Sequence, residues 1–304
     1  MPCASTHLHL SDRILSEWRR HPDRSPLVGD RARAERAFLH GSLAPDMGFV
    51  PGTPRLVSEL AHYVTPVTFA RAVLAEARTA EEVAFGWGWA SHVLGDVELH
   101  PLVGRAVGER IHGDRTLRMD AAEDVQTHVS LEVGMDIVLL EEVRVSPPPP
   151  EAFFGSGSVG LLGRSLERVY RVGWDRPLLL RTHQRAVTLT RWWPRTLKVL
   201  SRRGRLMGPL FGALRRIPGE GTPARGFLAP TRPQGWVMSE LLERSAAFPD
   251  QFQRWVDGGL VGVPELNLET GGPAGAGLGH PASDDAERKL QRVRHREEVR
   301  GLGA

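Results

Sequence analysis

The 304-residue chain is short of cysteine, of lysine and of long apolar runs, and each shortage excludes something. A lone cysteine, Cys3, cannot form an internal disulfide, so an oxidising compartment would give this fold no covalent support. No uncharged apolar run reaches the ~18 residues that span a bilayer. The opening stretch Met1–Arg13 lacks a basic region followed by an apolar one, so it does not read as a secretory leader. The cytoplasm is therefore the simplest expected location. Only Lys198 and Lys289 among the 39 basic residues are lysine, a skew that reads as composition. A formal net charge of +3 gives no reason to expect a nucleic-acid partner. Alternating apolar and polar runs, the mark of half-buried strands, are also scarce. What remains, 41% hydrophobic and 25% charged, is the profile of a globular chain long enough to bury a core.

Helix signals are frequent. The first segment, about Thr6 to Arg20, brings His7, Ile14 and Trp18 close to one sector. Thr65-Pro66 opens a helix through Ala77, with proline at its first position. Thr79-Ala80-Glu81-Glu82 is a capping box for the next helix, which Pro101 ends; a further helix runs from there to about His112-Gly113. Asp120-Ala121-Ala122-Glu123 is a similar start, followed by the apolar stripe Val125, Val129, Val133, Ile137. Four prolines, Pro147 to Pro150, mark an internal boundary. Beyond it helices are expected at about 160–172, 177–193, 194–203 and 234–257. The glycine-rich stretch from Gly271 and the charged run 284–300 read as a flexible tail with a short solvated helix. The expected architecture is all-α: a metal-binding helical core over 1–146, a helical part over 151–265 packed on it, and a tail over 271–304.

Two of these helices carry carboxylate–histidine ladders. His92, Asp96 and His100 recur every four residues in one; His128 and Glu132 repeat the gap in the other, with Asp136 one step further. A gap of four drifts only about 40° around a helix, so each ladder keeps to one face. Imidazole and carboxylate are the usual ligands of zinc and related divalent ions, and two ladders meeting across a bundle can hold more than one. As a surface series, such pairs would contribute only a few tenths of a kcal/mol each. The neighbouring run Phe85-Gly86-Trp87-Gly88-Trp89-Ala90-Ser91 indicates close helix packing instead. Burying Asp96 between two histidines there would be costly without a cation. A hydrolase is the expectation.

An ordered set of motifs resembles the zinc-dependent phospholipase C superfamily, which includes the S1/P1 nucleases and the N-terminal domain of glycosylphosphatidylinositol-specific phospholipase D. The set is Ser5-Thr6-His7-Leu8, Gly41-Ser42-Leu43-Ala44-Pro45-Asp46, His62, Gly88-x-x-Ser91-His92-x-x-x-Asp96-x-x-x-His100, and His128-x-x-x-Glu132, over roughly residues 1–140. The resemblance implies a multi-helix bundle holding two or three zinc ions. His62, His92 and Asp96 would hold one, with Asp96 bridging to a neighbour. His100, His128 and Glu132 would hold a second, more exposed ion, and His7 would join Asp96 at a third. Asp46 would be a ligand or the general base that orients the attacking water. In secreted members the freed amino terminus completes the third site; no leader is read here, and that site rests on His7 and Asp96.

The implied function is a phospholipase C-like phosphodiesterase acting on a phosphoester, a phospholipid or another phosphodiester. A nuclease-like activity is the alternative and would need base-stacking aromatics such as Trp87 and Trp89 near the metals. A non-catalytic, metal-stabilised protein is a third reading, though a purely structural zinc site closes with four ligands and has no use for eight. The di-iron spacing Glu-x-x-His occurs at Glu59/His62 and Glu109/His112 but leaves both ladders unexplained. The aromatic and basic segment from Arg191 to Arg216 reads as an ordinary packed helix pair or, less simply, as a peripheral membrane contact.

Overall fold

A computed structural model describes residues 4–50, 52–142, 145, 147–150, 156–202, 226, 230–275 and 280–301. Its helices are α1 (Ala4–Arg20), α2 (Arg31–Leu43), α3 (Leu56–Tyr63), α4 (Pro66–Ala75), α5 (Ala80–His112), α6 (Val125–Glu142), α7 (Ser156–Tyr170), α8 (Arg176–Arg202), α9 (Gly235–Asp257) and α10 (Pro281–Gly301). Short 3-10 turns lie at Pro22–Arg24 and Ala44–Phe49. Among the described residues the only extended pairing is an isolated antiparallel bridge between Leu266 and Pro273, so the bundle is all-α as expected. No helix among them is long and apolar enough to cross a membrane.

The local signals act as their chemistry requires. Thr79 accepts a hydrogen bond from Glu82 N at 3.2 Å, satisfying a free donor of the first turn of α5. Glu82 reaches back one residue further than a standard box, to Arg78 N at 2.6 Å. The Asp120–Glu123 box does form, with Glu123 accepting from Asp120 N at 2.9 Å and Asp120 from Glu123 N at 3.1 Å. It precedes the helix it was expected to open. Asp124, accepting from Thr127 N at 2.9 Å, caps α6 instead.

Pro101 does not divide α5. The helix runs unbroken for 33 residues, losing only the hydrogen bond that a proline cannot donate, and ends where Gly113 turns left-handed at φ 73°. Burial explains its persistence. Phe85, Trp89, Val93, Leu99, Leu102, Val103 and Val107 are enclosed, so α5 is wrapped over most of its length and held by packing rather than propensity. Likewise α8 is one helix across Pro194, where two were expected.

Glycines set how closely the helices approach α5. A Cβ at Gly88 would lie 2.0 Å from Phe38 O, and one at Gly41 would lie 2.1 Å from Phe85 O. The backbones of α2 and α5 therefore touch at a point no larger residue permits. On the other side, Trp18, Phe38, Trp87 and Phe252 meet edge to face or tilted, with Trp18 Nε1 donating to Gln253 at 2.9 Å. One continuous apolar cluster runs from Leu10 to Leu290, so the proline boundary does not separate two cores.

The helix expected in the charged run of the carboxy-terminal segment is long and docked rather than short and solvated. Residues Pro281–Gly301 form α10, which packs on α3 with Ala286 and Leu290 buried and Lys289 paired to Glu59 at 2.8 Å. Its apolar positions are too sparse to stand out against a charged run. Cys3, the Phe153-Phe154-Gly155 stretch, and Arg203 to Arg216 of the basic segment lie outside the described residues.

Replacing Gly88 by alanine should lower stability by about 2 kcal/mol or more, the cost of overpacking a contact that must open. A urea midpoint equal to that of the wild type would contradict the packing described.

Candidate metal centre

Five elements deliver eight side chains to one buried locus. α5 contributes His92, Asp96 and His100 from one face; α6 contributes His128 and Glu132; α3 brings His62, the turn Ala44–Phe49 brings Asp46, and α1 brings His7. The turn is pinned by Ala44 and Met47, both fully buried, and by Gly48 N donating to Ser58 Oγ at 2.8 Å. α1 closes on α5 at Gly95, where a Cβ would come within 3.1 Å of His7 Nδ1. The His7 and His92 rings therefore stack, 3.8 Å between centroids.

The first cluster is compact. His62 Nε2 is 3.2 Å from Asp46 Oδ1, 3.2 Å from His92 Nε2 and 3.3 Å from Asp96 Oδ2. His92 Nε2 is 3.1 Å from Asp96 Oδ2 and 3.7 Å from Asp46 Oδ1. Two tetrahedral ligands each ~2.05 Å from zinc are about 3.3 Å apart, so these spacings suit donors to one ion. His7 Nε2 meets the other oxygen of Asp96 at 3.0 Å, and His7, His92 and Asp96 form a further group that shares His92 with Asp46 and His62. In the second cluster Glu132 Oε1 is 3.2 Å from His128 Nε2 and 3.5 Å from His100 Nε2. In the second trio His128 and Glu132 are buried and His100 is the more open member, its side chain 10% exposed.

Hydrogen bonds on the far ring nitrogens decide which way the lone pairs point. His62 Nδ1 lies 2.8 Å from Ser58 O, His92 Nδ1 2.8 Å from Ser42 O, and His100 Nδ1 bonds Leu268 O. A carbonyl only accepts, so each Nδ1 carries the proton and donates. In the neutral rings the Nε2 lone pairs then face inward. Two such lone pairs 3.2 Å apart repel unless a proton or a cation lies between them. Asp96 Oδ2 is buried with no hydrogen-bond partner, which also calls for a cation. The donor set fits zinc.

Electrostatics without metal show the same demand. Burial would lower His62, but the carboxylates of Asp46 and Asp96 lift it to about 9. Burial opposes ionisation of Glu132, yet His128 and His100 bring it down to about 2. His100 and His128 are raised in the same way against their burial; Asp46 and Asp96 are lowered against theirs. His7 moves the other way, lowered by burial and by the neighbouring His92 ring.

Two further carboxylates take part. Asp136, one step along the α6 ladder, does not join the metal groups; it accepts from Ser5 N at 3.1 Å and Thr6 N at 3.2 Å, anchoring the first turn of α1 just before His7. Burial pushes its carboxyl up to about 7 against those bonds. Glu269 went unread, 3.2 Å from His128 Nε2, in a loop with no periodicity to reveal it. The di-iron pairs dissolve: Glu59 turns to Lys289, and Glu109 accepts from Trp236 Nε1 at 2.6 Å.

Neither the curated proteins nor the solved structures contain a significant match to this chain. The family model described as zinc dependent phospholipase C matches residues 6–175, more than half of the sequence and every residue of the eight-member set. The chain belongs to the zinc dependent phospholipase C family.

Proposed function

We propose that this zinc-dependent phosphoric ester hydrolase cleaves the headgroup phosphodiester of a phospholipid, with Asp46, His62, His92 and Asp96 as ligands of one ion and His100, His128 and Glu132 as ligands of a second. The observation that carries the reading is the inward-facing pair of Nε2 atoms of His62 and His92, 3.2 Å apart between two carboxylates. When bound, the ions supply an activated water as nucleophile and neutralise charge on the phosphoryl group. The chain supplies the frame. Ser58, Ser42 and Leu268 carbonyls hold three imidazoles in the Nδ1–H form so that Nε2 can ligate. Asp96 spans the first and third groups through different oxygens. Asp46, whose Oδ1 faces both imidazoles, would orient the attacking water and take its proton. His7 with Asp96 is the site of a third ion.

Phospholipid is favoured over nucleic acid because the aromatics a nuclease would need are spent elsewhere. Trp89 is fully buried between Phe69 and Phe85, and Trp87 packs on Phe252. Contact with a lipid surface would use the basic segment that begins at Arg191, where Trp192 is 60% exposed.

Elemental analysis of untagged protein should find two or three zinc ions per chain, and the loaded protein should hydrolyse short-chain phosphatidylcholine in preference to a single-stranded oligonucleotide. Bound zinc with no turnover of either would overturn the catalytic reading. Replacing Asp96 by asparagine should remove at least one ion and lower the melting temperature by about 5 °C or more, the shift that accompanies loss of ~2.7 kcal/mol of ligand stabilisation. Unchanged metal content in that variant would refute the assignment of the α5 ladder.

Zinc affinity should also depend on pH in a stated direction. In the metal-free fold His62 holds its proton up to about pH 9, and zinc must displace it. Apparent affinity should therefore climb as pH rises, about tenfold per unit for each proton displaced, with the contribution of His62 levelling off above about 9. Competition with a chromophoric chelator, with proton release followed in weak buffer, measures both. An affinity flat from pH 6.5 to 9 would contradict the charge state described.

A further inference from the structure

We infer that Glu269 is a ligand of the second zinc, supplied from outside the segment that carries the other ligands and resting on the metal assignment above. Its carboxylate is 7% exposed and lies 3.2 Å from His128 Nε2, the atom that also faces Glu132 at 3.2 Å. Besides that contact, Glu269 Oε1 accepts from Ala121 N at 3.0 Å. No arginine or lysine side chain pairs with it among the described residues; Arg118 donates to its backbone carbonyl instead, at 3.1 Å. A buried carboxylate with so little neutralisation is costly unless a cation serves it.

Charge bookkeeping points the same way. Glu132 alone would leave the second dication half balanced in a buried setting; Glu269 supplies a second negative charge there.

The loop that carries Glu269 is built to hold it. Asn267 Oδ1 accepts from Glu269 N at 3.0 Å and Thr270 N at 3.2 Å, while Asn267 Nδ2 donates to Ser283 Oγ of α10 at 3.2 Å. The turn closes through Asn267 N to Gly272 O and Gly271 N to Asn267 O, both 2.7 Å, with Gly271 left-handed at φ 66°. The preceding residue serves both metal sites: Leu268 N donates to His62 O at 2.9 Å, and Leu268 O accepts from His100 Nδ1. Adjacent residues of one fixed turn thus orient a ligand of each site and present a carboxylate to the second.

The test compares zinc retention by wild type, Glu269→Gln and Glu269→Asp under a competing chelator, together with the visible spectra of the cobalt-substituted proteins. Glutamine keeps the shape and the acceptor for Ala121 N but removes the charge. It should release one ion with affinity weakened on the order of tenfold to a hundredfold, and shift the cobalt bands of the second site. Aspartate should restore part of the affinity while keeping an altered spectrum. If the glutamine variant does not fold, the aspartate variant decides on its spectrum alone. Variants that match wild type in zinc retention and cobalt spectrum would overturn the assignment of Glu269. A wild type that binds no zinc would overturn the metal reading itself, so the two failures are distinct.

Discussion

Everything in this bundle is arranged around a set of donors that repel one another. Imidazole nitrogens with their lone pairs turned inward and carboxylates stripped of water are brought within about 3.3 Å, the spacing of ligands on one zinc ion. Left to themselves they recruit protons: His62 rises to about 9 and Glu132 falls to about 2, because protons on His62, His100 and His128 are the nearest available counter-charges. Zinc takes the protons' place with twice the charge per ion. Metal affinity and metal-free strain are thus two aspects of one electrostatic arrangement, and folding stability and metal content must be coupled.

Such crowding needs a rigid frame, and the frame is made by close backbone approach. Gly41 and Gly88 let α2 touch α5, and that contact carries Ser42 O to His92 Nδ1. Gly95, two turns further along nearly the same face, admits His7 to the same helix. The uninterrupted course of α5 past Pro101 matters for the same reason. A break before that proline would free His100 to swing away from Asp96, four residues earlier on the same face. Enclosure by large side chains keeps the helix straight enough for its three ligands to act on two sites.

Local features of the site were legible and long-range ones were not. The four-residue gaps of His92, Asp96, His100 and of His128, Glu132 encode a shared face in a way that depends only on helix geometry. Which faces would meet has no local signal, and here the ordered motifs and the family they resemble carried the argument. Where propensity and packing disagreed, packing won: Pro101 and Pro194 lie inside helices, and the charged run near the carboxy terminus forms a helix because two buried residues, Ala286 and Leu290, suffice to dock it. Asp136 looked like a third rung of its ladder but accepts from the backbone N–H groups of Ser5 and Thr6 at the start of α1. Glu269 left no trace at all. Its partners Ala121 and His128 are more than a hundred positions away, and nothing in Asn267-Leu268-Glu269-Thr270 repeats.

That last contact changes where the functional unit ends. The family match stops at residue 175, yet Leu268 fixes the ring of His100 and is itself fixed by the carbonyl of His62. A carbonyl that sets the tautomer of a ligand is as necessary to the centre as the ligand, because the alternative tautomer would turn an N–H toward the metal position. The loop in turn depends on Ser283, which donates to Tyr63 O at 2.9 Å, and so on the docking of α10 through Lys289 and Glu59. A chain ending at the family boundary would keep every residue of the eight-member set and lose the groups that aim His100. The carboxy-terminal helix is therefore part of the metal centre's support, and its charged sequence is the exposed side of a structural element.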